Sequence, residues 1–203
     1  MDRGTKAGRR RAGLSLVEVL IASGILSVLV AIVYLVLQRS TDTYANEAVH
    51  LSLDERARET LTEIGRDLRE AGSATMRTGD PPVPLVPGQP YADLRFGTIS
   101  GFDPTRREAQ FSNAVRYRWR SALGEIVNGQ DDNGDGRADE GYVERTDPSG
   151  KVTCLCGDVK VQGLKFVFTP NKVAVTLDLE RRDPKGTRVQ RKAATTVDLR
   201  NGP

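Results

Sequence analysis

Apolar residues are distributed in two distinct ways along this chain. Residues 14–37 form an apolar run in which Glu18 carries the only charge. A helix of this length spans the roughly 30 Å hydrocarbon core of a bilayer. Five basic side chains precede the run. Because basic residues favour the cytoplasmic side of a membrane, they predict a cytoplasmic N-terminus and place residues 40–203 on the far side.

A helical pattern continues beyond this run. Apolar side chains recur every three or four residues, which is the spacing of one face of an amphipathic helix. They are Val49, Leu53, Ala57, Leu61, Ile64, Leu68 and Ala71. Gly72 is a residue type that commonly follows a helix end. We therefore predict one helix over residues 14–71, with a half that crosses the membrane and a half that packs on a globular head.

In the C-terminal part of the chain, apolar residues recur at every second position instead of every third or fourth. Residues 80–90 hold five of the ten prolines, which predicts an extended loop. Apolar and polar side chains then alternate, as in half-buried strands, at 115–120, 164–168 and 173–179. Asp-Pro-x-Gly segments at 147–150 and 183–186 predict hairpin turns, and a last strand is predicted near 194–199. One long helix against an antiparallel sheet is an α+β fold.

Glu18 distinguishes the apolar segment from an ordinary signal anchor. A carboxylate in an apolar helix is costly, and in a dry bundle of helices it needs a positive partner. The segment Gly13–Ala22, which reads GLSLVEVLIA, resembles the class III prepilin signal of type IV pilins and type II secretion pseudopilins. Leu14 stands where phenylalanine is usual in that family. A secretory signal fits less well, because its apolar region has only about 7–15 residues.

The resemblance implies how the N-terminal segment is processed and used. A prepilin peptidase would cleave between Gly13 and Leu14 and methylate the new N-terminus, and Glu18 would act in assembly. The partners implied are other minor and major pilins, or pseudopilins, which pack through the N-terminal helix. The subunit would be a single-pass protein of the bacterial inner membrane, with a periplasmic head, before it enters a pilus or pseudopilus.

These expectations divide the chain into five parts. They are a cleaved basic leader at 1–13, a transmembrane half-helix at 14–38, an amphipathic half-helix at 39–72, a proline-rich loop at 73–90 and a β-rich head at 91–203. Without the leader, the formal net charge of +3 becomes −1, because residues 1–13 hold five basic residues and one acidic residue. The overall basic charge is therefore a poor argument for nucleic-acid binding.

Two further segments narrow the resemblance. Residues 63–72, with the sequence EIGRDLREAG, resemble the end of the long helix in PilW-type minor pilins and in J-type minor pseudopilins. The ending Thr195–Asn201 is similar to the last strand of such proteins. The implied function is a minor pilin that initiates or caps a type IV pilus, and the alternative is a J-type minor pseudopilin of type II secretion. A more distant alternative is an exported calcium-dependent enzyme held by a signal anchor.

An acidic segment suggests a cation site in the head. Residues 131–139 have the pattern D-x-N-x-D-G-x-x-D, in which alternate side-chain oxygens can converge on a hard cation such as Ca²⁺. The candidate ligands are Asp131, Asn133, Asp135, the carbonyl of Arg137, Asp139 and Glu140. An EF-hand would need glutamate at its twelfth position, where this chain has Tyr142. A solvated turn is the alternative interpretation.

The remaining chemistry in the sequence is sparse. Cys154 and Cys156 are separated by one residue, so an intrachain disulfide would close a strained ring, and free or intermolecular thiols are the alternative. Arg116, Arg118 and Arg120 could bind a polyanion, but such a stripe is more often the wet face of a strand. With one histidine and neither a nucleophile elbow nor a phosphate-binding glycine loop, the sequence predicts a structural subunit rather than an enzyme.

Overall fold

One long α-helix, a 3-10 turn at Ser73–Thr75 and nine strands form the described part of the protein. The computed structural model describes residues 15–134, 138–183 and 186–199, without the side chains of residues 42, 108 and 113. The chain separates into two units, Met1–Tyr44 and Ala45–Pro203. Helix α1 runs from Leu16 to Arg69, which is close to the predicted range of 14–71. The predicted α+β fold is confirmed.

The first unit consists, in its described part, of the apolar portion of α1. The large apolar side chains between Leu16 and Leu37 are 52–80% exposed. Among the described residues, α1 is the one helix that is long and apolar enough to cross a membrane. An apolar surface of this size is stable only against lipid or against other apolar helices.

The second unit contains the rest of α1 and a sheet. The strands are β1 (Arg77–Thr78), β2 (Val83–Pro84), β3 (Pro90–Tyr91), β4 (Asp93–Asp103), β5 (Glu108–Ser121), β6 (Gly141–Thr146), β7 (Val152–Thr169), β8 (Lys172–Arg182) and β9 (Arg188–Asp198). All the strand pairs are antiparallel, and the strand order is β2-β1-β4-β5-β6-β7-β8-β9, with β3 beside β7. The predicted proline-rich loop, residues 73–90, contains the two-residue strands β1 and β2 and ends at the start of β3.

The core forms where the apolar face of α1 meets one face of the sheet. Leu53, Ile64 and Leu68 are fully buried, as the helical period predicts. The alternating residues of β5, β7 and β8 face them, and Val115, Tyr117, Leu164, Phe166, Val173, Val175, Leu177 and Leu179 are at most 1% exposed. Each side chain of this size contributes about 1.5–3 kcal/mol on burial. Burial of these two faces is therefore the main force that joins the helix to the sheet.

Both predicted hairpin turns form, and they share one hydrogen-bond pattern. In the β6–β7 turn, the Asp147 N–H donates to the Lys151 carbonyl and the Gly150 N–H donates to the Asp147 carbonyl. In the β8–β9 turn, Asp183 and Gly186 make the equivalent bonds, with Thr187 as the acceptor residue for Asp183. Gly150 and Gly186 have φ near +85°, which favours glycine. The last strand begins at Arg188, earlier than the predicted 194.

Gly72 has a different role from the predicted one. Its φ is −86°, so it does not end the helix in a left-handed conformation. A Cβ at this position would collide with the ring of Phe111. The absence of a side chain therefore allows the chain to leave α1 beneath that ring.

A buried polar cluster fixes α1 against β5 and β6. The carboxylate of Asp67, on α1, accepts hydrogen bonds from the Tyr117 hydroxyl at 2.7 Å and from the Arg145 guanidinium, at 2.8 Å from Nε. Burial and the hydrogen bond to Asp67 raise the pKa of Tyr117, so it stays protonated. Hydrogen bonds to Asp67 and Tyr117 raise the pKa of Arg145 despite its partial burial. The cluster thus joins the buried Asp67 carboxylate to Tyr117 and Arg145, and Glu63 adds a second carboxylate 3.7 Å from Arg145.

We predict that Asp67→Ala destabilises a fragment spanning residues 45–203 by about 3–5 kcal/mol, because it removes the acceptor of the Tyr117 hydroxyl and the nearer carboxylate of Arg145. Urea unfolding followed by circular dichroism measures this loss. Arg66→Ala is the matched control: its side chain is 66% exposed, and its contact with Asp67 is 3.6 Å. A loss for Asp67→Ala no larger than that of the control would show that the cluster does not hold the helix.

Candidate functional site

The described helix begins with a reciprocal pair of hydrogen bonds around Glu18. The Ser15 N–H donates to Glu18 Oε2 at 2.9 Å, and the Glu18 N–H donates to Ser15 Oγ at 3.2 Å. This is a capping box, which satisfies two of the backbone donors that a helix start leaves without partners. Glu18 therefore stabilises its own helix start, a role that the sequence analysis did not assign to it.

The carboxylate of Glu18 also lies in an apolar environment. Leu16, Val17, Val19 and Leu20 surround it in sequence and are more than 50% exposed. Within the described residues, Glu18 makes no ion pair, and its one hydrogen-bond donor is a neutral N–H. When such helices pack together, the Glu18 carboxylate would lose its contact with water, and the uncharged Ser15 N–H would not balance its charge. Gly13 and Leu14, between which cleavage is predicted, lie outside the described residues.

The acidic segment of the head forms a loop between β5 and β6. Its described carboxylates mostly accept hydrogen bonds from the loop backbone. Asp131 Oδ1 accepts from the Gly134 N–H at 2.7 Å, and the two oxygens of Asp139 accept from the N–H groups of Asn128 and Gly129. Asn133 Nδ2 donates to Glu140 Oε1 at 3.0 Å. Asp135 and Arg137 lie outside the described residues.

Glu125 is the central side chain of this loop, and the sequence analysis did not identify it. It is 7% exposed. One carboxylate oxygen accepts the N–H groups of Asp132 and Asn133, and the other accepts the N–H of Asp139, each at 3.0 Å. Glu125 thus closes the loop by accepting all three N–H groups at the point where they converge.

These contacts bring some of the predicted calcium ligands together and separate others. Asn133 and Glu140 are in direct contact, whereas Asp139 is directed to Asn128 and Gly129. In the described parts of the chain, no group of three His, Cys, Asp or Glu residues is arranged to hold a metal ion. The calcium site therefore stays a prediction, and it depends on where Asp135 and the Arg137 carbonyl lie.

The two cysteines lie in different environments on β7. Both are free thiols, with Cys154 exposed and Cys156 buried. The register between β6 and β7 shifts at this point, since Glu144 faces Cys154 while Val143 faces Cys156. Burial is the main cause that raises the pKa of both thiols, which keeps them protonated and poorly reactive near neutral pH.

The arginine stripe of β5 is paired with carboxylates. Arg116 forms a bidentate pair with Asp93 at 2.5 and 3.0 Å. Arg118 and Arg120 both reach Glu144, at 2.5 and 3.5 Å. Glu144 is 5% exposed, so these pairs neutralise a carboxylate that is otherwise costly to bury. The stripe therefore supports the sheet and offers little free charge to a polyanion.

Comparison with known proteins assigns the N-terminal segment. Residues 8–34 match the family model described as the prokaryotic N-terminal methylation motif. No curated protein and no solved structure matches the chain. The motif and the apolar helix indicate a structural subunit and fit anchoring in the inner membrane. More particularly, the chain carries the class III prepilin signal of type IV pilins and pseudopilins, which confirms the resemblance seen in the sequence.

We predict a weak calcium site in the acidic loop. A fragment spanning residues 45–203 should melt at a higher temperature in millimolar calcium than in chelator. At ten times the dissociation constant, binding to the folded state adds about 1.4 kcal/mol to its stability. Asp131→Ala combined with Asp135→Ala should remove this difference, because it removes two of the predicted ligands.

Asp132→Asn is the control for this experiment, because Asp132 is acidic and belongs to the same loop but is not a predicted ligand. This variant should keep the calcium response. Equal melting temperatures in calcium and chelator, with no binding heat in calorimetry, would show that the loop is not a calcium site but a turn held by Glu125.

Proposed function

We propose that this protein is a minor pilin, which helps to initiate or cap a type IV pilus. The observation that carries the proposal is Glu18, a carboxylate within the prepilin motif that has no ion-pair partner among the described residues and lies in the exposed apolar part of α1. The prepilin motif implies processing by prepilin peptidase and assembly with other pilins. A helix surface that is apolar and carries one charge suits packing against neighbouring helices that supply the opposite charge.

The finer assignment rests on residues 63–72. This segment resembles the helix end of PilW-type minor pilins, and its Asp67 holds α1 to β5 and β6 through Tyr117 and Arg145. The resemblance therefore falls on residues that determine how the helix and the head are joined. The same segment also resembles J-type minor pseudopilins, so a place in type II secretion is the second candidate function.

The proposal includes a topology. The basic residues before α1 favour a cytoplasmic N-terminus, so the second unit, which contains the head, would be periplasmic. After cleavage, the basic leader is lost and the chain gains an amine at Leu14. That amine would be the cation available to Glu18 of an adjacent subunit as the helices pack.

We predict that the mature protein starts at Leu14. Mass spectrometry of material from the membrane and from the fibre should find this N-terminus, in a methylated form. Gly13→Leu is the matched variant: it should leave the chain in the membrane but unprocessed. Assembled subunits that still begin at Met1 would contradict the proposal.

We predict that the charge of Glu18, and not its capping bond, is needed for assembly. Glu18→Gln keeps an oxygen that can accept the Ser15 N–H but loses the charge, whereas Ser15→Ala loses one capping bond and keeps the charge. In a deletion strain, complementation with Glu18→Gln should give normal membrane levels without incorporation. Ser15→Ala should restore incorporation, because loss of a cap costs only about 1 kcal/mol whereas loss of one partner of a buried pair costs about 3–5 kcal/mol.

The same strains test which machine the subunit serves. Loss of surface pili and motility on deletion supports the minor pilin. Loss of protein secretion with normal pili would assign the subunit to type II secretion. Normal incorporation of Glu18→Gln would show that charge pairing is dispensable in this fibre.

A further inference from the structure

The two edges of the sheet differ in their capacity to bind another strand. At one edge, β2 has two residues and includes Pro84, which lacks an N–H. At the other edge, β9 has 11 residues and pairs with β8 from Arg188 to Asp198 without a register shift. No described strand lies on the outer side of β9. A long and regular edge without proline is a template for pairing with another chain.

The backbone groups that β9 presents to this edge follow from its pairing. The Leu199 N–H donates to the Asn171 carbonyl at 2.9 Å, so it points toward β8. Because the N–H direction alternates along an antiparallel strand and the register is unbroken, the backbone groups of Gln190, Lys192, Ala194 and Thr196 point to the free edge. An incoming strand would bind to these four residues.

A groove lies beside this edge, between β9 and the outer face of α1. Its volume is about 400 Å³. Leu61 and Val197, both mostly buried, contribute the apolar part of its lining. Gly65 also lines it, where an added Cβ would lie 3.6 Å from Val197. The groove thus offers a shallow apolar floor that suits small side chains rather than large ones.

The charge of this groove is strongly biased toward one sign. Four basic residues line it, Arg58, Arg69, Arg191 and Lys192, against one acidic residue, Asp54. Arg191 pairs with Asp54. Arg58, Arg69 and Lys192 are exposed and form no ion pair within the described residues. A ligand that supplied carboxylates along the groove would satisfy both its charge and the hydrogen bonds of the strand edge.

From this juxtaposition we infer that the edge groove binds an extended acidic segment of a neighbouring subunit, which adds to the sheet as a strand beside β9. The inference rests on the proposed function, because in a fibre one surface of each subunit contacts a different surface of the next subunit. Strand addition takes its affinity from backbone hydrogen bonds and its specificity from side-chain positions. Arg58 and Arg69 are about 16 Å apart along the helix axis. Two carboxylates four residues apart on a strand, at about 13 Å, can reach both.

The test uses a defined peptide and the full chain in detergent. The probe is a labelled peptide, acetyl-Thr-Val-Glu-Val-Thr-Val-Glu-Val-Thr-amide, and its partner has lysine in place of both glutamates. Fluorescence anisotropy should show binding of the acidic peptide and at least about tenfold weaker binding of the lysine peptide. Equal binding of the two peptides, or no binding of either, would overturn the proposal.

Two variants of the protein separate the charges from the strand edge. Arg58→Glu with Arg69→Glu should weaken binding of the acidic peptide at least about tenfold. Ala194→Pro should do the same, because it removes an N–H at the free edge and leaves the ladder to β8 intact. The matched control is Lys151→Glu with Lys165→Glu, two exposed side chains outside the groove, and it should change binding by less than about twofold.

Circular dichroism checks that each variant is folded. A ligand held by charge alone, such as a nucleic acid, would bind Ala194→Pro as tightly as the wild type. That result with the acidic peptide would overturn strand addition. The wild type could instead associate with itself and not bind the peptide. If Ala194→Pro abolishes that association, the edge binds a second copy of this chain, and the proposed acidic segment is wrong.

Incorporation in cells distinguishes this inference from the proposed function. Ala194→Pro and the Arg58/Arg69 variant should be processed and reach the membrane but enter fibres poorly. If both enter fibres normally while Glu18→Gln does not, the groove is not an assembly site and the proposed function stands. If the wild type enters no fibre, the proposed function fails, and the peptide experiment then decides the groove alone.

Discussion

The buried carboxylate of Asp67 determines where the helix meets the sheet. The apolar faces of α1 and of the sheet attract each other without direction, so burial alone allows more than one position of the helix. Asp67 can accept from Tyr117 and Arg145 in one position only, because these donors come from neighbouring strands, β5 and β6. Any other position would leave a charge buried without a partner. Apolar burial thus supplies most of the stability, and the ion pairs of α1 with the strands select the geometry, with Asp67 bound to Arg145 and Arg56 bound to Asp158.

The sequence was sufficient to predict the elements whose residues repeat with a clear period. The helical face from Leu53 to Ala71 and the alternating residues of β5, β7 and β8 are buried as predicted. What the period could not reveal are contacts between residues far apart in sequence. Arg145 is 78 residues from Asp67, and no local pattern connects them. Gly72 shows the same limit, since its small size matters because of Phe111, a residue of another element.

The candidate sites were predictable to different degrees for a related reason. The prepilin signal is a continuous segment, so its residues identify it without any knowledge of the fold. The acidic loop was recognised from its composition, but its organising residue, Glu125, lies upstream of the pattern and is distinguished only by its burial. The arginine stripe was visible in the sequence, yet its partners Asp93 and Glu144 lie on adjacent strands. A charge pattern shows which groups are present, and only the fold shows which of them remain unpaired.

Basic side chains with and without carboxylate partners lie in different parts of the second unit. On β5 every arginine of the stripe has a carboxylate partner, whereas Arg58, Arg69 and Lys192 have none among the described residues. The unpaired charges lie beside the long edge strand β9, and the other end of the strand order is a two-residue strand with a proline. Symmetric pairing of β9 with β9 of a second copy would bring the unpaired basic side chains of both copies to one interface, where like charges repel. Such a surface disfavours a closed dimer and favours head-to-tail contacts, which is the type of interface from which an open fibre is built.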